Sequence, residues 1–181
     1  MFQRTKDVTL VDYDPSWVER FGAIRDRLGP VLGDYAAGVE HVGSTAVPGM
    51  PAKDVVDIDV VIRRSEDLAF VVERLAEIGY VYLGDLGIAG REAFGAPLDW
   101  PRHNLYVCAI GAQELLRHLA FRDALRADGA LAQQYAELKR ELAARFPHDV
   151  DTYAEEKSPF IIGVLHALSA QGNRRRTTPR P

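Results

Sequence analysis

Apolar positions repeat with two periods along this chain, and the places where the period changes mark its elements. Val8 to Asp12 alternates as a short strand. Asp14-Pro15 then opens a helix, because proline is tolerated in a first turn and Trp17, Phe21, Ile24 and Leu28 recur behind it at helical spacing. That spacing makes Trp17 a core residue. Val39 to Val42 reads as a second strand and runs into GSTAVPGMP, whose two prolines and two glycines exclude regular structure, so a loop joins two strands here. Lys53 to Ile62 is rich in β-branched residues and reads as a central strand, with Ser65 capping a helix over Asp67 to Ile78.

A further strand is expected at Tyr80 to Leu83, followed by GDLGIAGREAFG, residues Gly84 to Gly95, whose four glycines predict a mobile surface loop. His103 to Ile110 is the last expected strand. Helical spacing then covers Leu115 to Asp128, Ala130 to Phe146, Val150 to Lys157 and Phe160 to Ser169. The layout is an α+β domain over residues 1–172: a small mixed sheet to about residue 111 and a helical C-terminal half from about 112 to 170. Residues 173–181 have no apolar anchor and read as a disordered basic tail, on which no function is placed.

Length and composition suit one such domain. The chain has 181 residues, 47% hydrophobic and 27% charged, enough for a real core. Its net charge is −4 although the tail carries four arginines and no acid, so the body is more acidic than the whole, which argues against nucleic-acid binding. A lone cysteine, Cys108, offers neither a disulfide nor a zinc cluster and fits a reducing cytoplasm. No apolar run approaches the roughly 18 residues that cross a bilayer, so no membrane partner is expected.

Asp57 and Asp59 are the first residues that point to chemistry. Two apart in a strand, they aim both carboxylates at one face about 7 Å apart, while Val56, Ile58, Val60 and Ile62 line the other. Two like charges on a buried strand need pairing, hydrogen bonds or a metal, and oxygen donors of this kind suit Mg²⁺ or Mn²⁺. Solvated acids on a half-exposed strand, or pairing with Lys53 or Arg63, are the plainer alternatives. Upstream, Gly43-Ser44-Thr45 closes a strand with a glycine that lets backbone amides approach a phosphate and a hydroxyl that can donate to it. An ordinary turn would look the same. The P-loop, zincin and Gly-x-Ser-x-Gly patterns are all absent.

The helical half adds two Tyr and Lys pairs at i, i+4, Tyr135 with Lys139 and Tyr153 with Lys157, each sharing a helix face. Such pairs can offer a cation and a ring to a nucleotide, or merely pack a lysine stem on a tyrosine. Arg122, among Leu119, Phe121 and Leu125, is a candidate anion ligand unless Asp123 neutralises it. His118, His148 and His166 form no ligand spacing and read as structural; His41 reads as support for the Gly-Ser loop.

Gly43-Ser44, Asp57-x-Asp59 and their order resemble the nucleotidyltransferase fold. At closer range HVGSTAVPGMPAKDVVDIDVVI, RHNLYVC, LAFRDALRAD and YAELKRELA resemble the GrpB family, some members of which are joined to dephospho-CoA kinase. The resemblance runs from about Val11 to Leu168. It implies a nucleotidyltransferase-like small mixed β-sheet with flanking helices. Active nucleotidyltransferases commonly add a third carboxylate from a neighbouring strand, where this chain has His103-Asn104. Alternation lets one of these two face the pocket, His103 as base or ligand, with Glu92 or Asp99 as substitutes for the missing acid.

The expected function is Mg²⁺- or Mn²⁺-dependent nucleotidyl transfer from a nucleoside triphosphate to a small-molecule acceptor. Asp57 and Asp59 would hold the metal and His103 would assist. Gly43, Ser44, Thr45, Lys53, Arg122, Lys139 and Lys157 would hold the triphosphate. The glycine-rich loop would close over the site, bringing Arg91 or Glu92 inward, unless it is a surface insertion. The alternatives are a non-catalytic nucleotide- or CoA-binding accessory module on the same fold, and an interaction scaffold.

Overall fold

The computed structural model describes residues 6–177, and two layers of helix enclose one mixed sheet. The first helix, α1, spans Ser16–Leu32 and starts where Asp14 Oδ1 accepts the Ser16 amide at 2.8 Å. Trp17, Ile24 and Leu28 lie along its buried stripe, as their spacing predicts, with Phe21 at its margin. Strand β1 spans Ala36–Val42 and pairs antiparallel with β2, Val56–Ile62. The connection between them contains a single 3-10 turn at Ser44–Ala46, one short piece of helix where no regular structure is expected.

Helix α2, Leu68–Glu77, follows β2. Ser65 does not cap it: a 3-10 turn covers Ser65–Asp67, and Asp67 is engaged by Arg64 at 2.8 Å. Strands β3, Val81–Gly84, and β4, Glu92–Gly95, pair antiparallel, so the last third of the expected glycine loop is a strand. Its pattern was hidden because Glu92-Ala-Phe-Gly is too short to show a period. Strand β5, His103–Ala109, pairs antiparallel with β4 and parallel with β2, giving the order β1-β2-β5-β4-β3.

Four helices complete the chain: α3 (Gln113–Ala127), α4 (Gly129–Arg145), α5 (Val150–Glu156) and α6 (Ser158–Thr177). Asp128 caps α4 by accepting the Ala130 and Leu131 amides, and Asp149 caps α5 through Thr152. The backbone of α6 is helical through Thr177, beyond the point where the tail was expected to begin, and residues 178–181 lie outside the described residues. Among the described residues no helix is long and apolar enough to cross a membrane.

One face of the sheet is the main core. Val56, Ile58, Val60, Ile62, Leu105, Val107 and Phe94 pack there against Trp17, Ile24, Leu28, Val71 and Leu75 of α1 and α2. The connection between β1 and β2 is seated instead on the helical half, where Val47 and Met50 join Leu125, Tyr135 and Ala136. Val8 to Asp12 forms no strand of the sheet. It is extended chain with one bridge, Val11 to Ala52, and its Val8 amide donates to the Pro147 carbonyl at 2.8 Å. Its alternation reflects lying between the loop and α4, not a place in a ladder.

Candidate functional site

Register decides which side chains share the second face. Asp57 lies beside Asn104 and Asp59 beside Tyr106 in the parallel β2–β5 pair, so these four project together, away from the apolar core. Asn104 Nδ2 donates to Asp57 Oδ1 at 2.7 Å. Burial raises the pKa of Asp57, with the Asn104 hydrogen bond, Lys53, His118 and Lys157 opposing that rise. The chain after β1 is pressed onto the same carboxylate. Gly43 has φ +69°, and a Cβ there would sit 2.3 Å from Asp57 Oδ2, so only glycine fits.

Above Asp57 lies a cavity of about 190 Å³ lined by Ser44, Thr45, Lys53, Asn104, Lys139 and Lys157 among others. Burial raises the pKa of the Tyr135 phenol, and the Ser44 side chain beside it opposes that rise. Thr45 lines the cavity too, but its hydroxyl is 2.9 Å from His41 Nε2, and that imidazole stacks on Phe21. Burial, then the nearby Arg126 and Arg122 charges, lower His41 to about 4, so it is a neutral prop for the loop. Both Tyr and Lys pairs converge here: Lys139 Nζ is 5.5 Å from the Tyr135 ring centre and Lys157 Nζ 4.2 Å from that of Tyr153. Lys139 also donates to the Pro51 carbonyl. Burial, then mutual repulsion among the lysines, lowers Lys139 to about 7 and Lys157 to about 8. Three lysines therefore face one carboxylate, an arrangement that an incoming anion relieves.

Two expected site residues lie elsewhere. His103 is buried on the opposite, apolar face. Its Nδ1 donates to the Pro101 carbonyl at 2.6 Å and its Nε2 accepts from the Tyr80 hydroxyl at 2.6 Å, which fixes a neutral ring. Burial lowers its pKa, against the Pro101 hydrogen bond. Arg122 is held by Glu40 at 2.8 Å, Asp123 at 2.8 Å and the His41 carbonyl at 3.0 Å, which ties α3 to β1 rather than reaching the cavity. Neither substitute acid replaces the missing one: Glu92 accepts from the Tyr82 hydroxyl and Asp99 is exposed.

A histidine read as structural takes the prominent place. His118 on α3 donates from Nδ1 to Asp59 Oδ2 at 2.7 Å, and Asp59 is fully buried. Burial lowers the His118 pKa, yet the Asp59 hydrogen bond, with the Asp59, Glu114 and Asp57 charges, raises it overall. Nothing local signals this contact, because the two residues are 59 positions apart. Asp59 Oδ1 is buried with no hydrogen-bond partner. Among the described residues no three His, Cys, Asp or Glu side chains converge as a metal cage. Magnesium, however, is commonly held by one or two carboxylates with substrate phosphates. Asp57 Oδ2 and the orphaned Asp59 Oδ1 fit that kind of ion.

The fold is nucleotidyltransferase-like: a structure of the Cid1 poly(U) polymerase bound to MgATP superposes with TM-score 0.53 at 15% identity, over 74% of this chain and 44% of that one. Residues 7–167 match the family model described as GrpB protein, and the chain belongs to that family. The crystal structure of the conserved protein GrpB from Enterococcus faecalis has TM-score 0.78 and 34% identity, covering 86% of this chain and 94% of that one. Among curated relatives, UPF0157 protein BH1888 of Halalkalibacterium halodurans is 36% identical over 90% of this chain and 83% of its own length. UPF0157 protein YqkA of Bacillus subtilis is 34% identical, and the match spans 86% of this chain but 46% of that protein. A dephospho-CoA kinase of Mycolicibacterium paratuberculosis is 31% identical over 85% of this chain and 44% of its own length.

Proposed function

We propose that this chain binds the phosphates of a nucleotide or CoA-type ligand in the lysine-lined cavity beneath Gly43-Ser44-Thr45. The observation that carries this reading is the convergence of Lys53, Lys139 and Lys157 on a single carboxylate. Charge-assisted contacts from such a cluster contribute about 1.5–3 kcal/mol each. Asn104 beside Asp57, and His118 already on Asp59, favour binding without transfer, and the relation to a dephospho-CoA kinase supports CoA-type ligands alongside nucleotides.

Metal-dependent nucleotidyl transfer is the second reading, favoured by the orphaned Asp59 Oδ1. In it Asp57 and Asp59 would hold Mg²⁺ or Mn²⁺, which when bound supplies Lewis-acid polarisation of a phosphoryl group. Gly43 and Ser44 would orient the terminal phosphates, and the lysines would neutralise them while a small-molecule acceptor attacks. A thermal-shift panel of nucleoside triphosphates and CoA, with and without Mg²⁺, tests binding, and pyrophosphate release tests transfer. Stabilisation without pyrophosphate supports the first reading; pyrophosphate production replaces it with the second. A flat panel removes both.

A further inference from the structure

Two residues along the strands from the lysine cavity, about 7 Å away in strand geometry, the same sheet face carries a second polar niche. Tyr106 lies beside Asp59 there, and the Arg91 guanidinium stands 4.4 Å over the Tyr106 ring. Arg91 Nε is buried and has no hydrogen-bond partner, which a native arginine rarely leaves so without something to bind. The acids nearby are otherwise engaged. His118 sits between Asp59 at 2.7 Å and Glu114 at 3.6 Å, Glu114 also reaches Arg117 at 3.6 Å, and Glu92 takes the Tyr82 hydroxyl. Among the described residues no carboxylate pairs with Arg91.

A guanidinium stacked on a ring keeps the far edge of its plane, the two terminal nitrogens, for a partner, and these form a fork that a carboxylate fits with two parallel hydrogen bonds. We propose that Arg91, braced on Tyr106, is a second subsite that takes the carboxylate of a small molecule lying beside the phosphate-bearing ligand. The subsite rests on the reading of the lysine cavity and gives it a substrate class: the acceptor, or co-ligand, is a carboxylic acid. The position of Arg91 also explains why the residue precedes β4. The turn Asp85 to Arg91 delivers it over β5, with Gly87 and Gly90 at positive φ.

The test uses malonate as the carboxylate probe and inorganic pyrophosphate as the probe of the cavity, titrated calorimetrically into wild type, Arg91→Leu and Arg91→Lys. Thermal melting confirms that each variant is folded. Malonate is expected to bind wild type in the millimolar range, and at least fivefold more weakly to both variants, since lysine keeps the charge but lacks the fork. Pyrophosphate affinity should change less than twofold. Malonate that binds Arg91→Leu as it binds wild type, or binds none of the three, overturns the subsite; so does full rescue by Arg91→Lys, which reduces Arg91 to a point charge. Absence of pyrophosphate binding to wild type instead overturns the cavity reading, and the two failures are distinct.

Discussion

The two faces of the sheet handle buried polar groups in opposite ways. On the apolar face His103 is neutral, with both ring nitrogens satisfied by Tyr80 and Pro101, and it sits among side chains that exclude charge. On the other face His118 is driven towards its charged form by Asp59, lysines crowd an acid, and two buried polar atoms, Asp59 Oδ1 and Arg91 Nε, lack partners. A face built for stability satisfies each group within the chain. The second face leaves groups under electrostatic tension, which is the state expected of a surface that is completed by a ligand.

Of the substitutions that distinguish the two faces, one at His118 should cost the most stability. His118→Ala leaves the Asp59 charge buried without its partner and should destabilise the fold by about 3–5 kcal/mol in urea unfolding, with Asp59→Asn recovering part of it. Because the His118 pKa is raised above 6.5, its contribution is full below that pH and is lost as pH rises through the folded value. A loss under 1 kcal/mol would place the two histidines in the same category. Leu105→Ala, on the apolar face, should cost about 2–5 kcal/mol by the same measurement while leaving pyrophosphate affinity unchanged in the folded protein.

Proton linkage separates the faces further. Lys139 near 7 and Lys157 near 8 lie below their ordinary 10.5, so the unfolded chain holds more protons between about pH 7 and 10.5. Through that window their contribution to stability rises with pH, while pyrophosphate affinity falls as the lysines lose charge. Affinity that is flat from pH 7 to pH 9 would remove the lysines from the site. The smallest expected effect belongs to Ser44→Ala, about 0.5–1.5 kcal/mol of pyrophosphate affinity, the net worth of one hydrogen bond from a hydroxyl that lines the cavity.

Much of this was legible in the sequence because it depends on local period. The stripe of α1, the β-branched run of β2, the shared face of Asp57 and Asp59, and the two Tyr and Lys pairs all follow from spacing alone. What escaped depends on pairing between distant segments. Alternation along β5 leaves His103 and Asn104 as alternatives, and only the register with β2 selects Asn104. The local sequence makes Arg122 an anion-ligand candidate, whereas its partner in the fold is Glu40, 82 positions away on β1. Likewise nothing near His118 announces Asp59, and the four residues of β4 were masked by the glycines that deliver them.

Whether the lysine cavity takes phosphates is decided by calorimetric titration of inorganic pyrophosphate into wild type and Lys157→Met at pH 7. Lys157 lines the cavity over Tyr153, and its loss also removes repulsion among the lysines. Wild type should bind, Lys157→Met should bind about tenfold more weakly in keeping with one charged contact, and the variant should melt no lower than wild type. Equal affinity in the two proteins, or no binding by wild type, would contradict phosphate binding in the cavity.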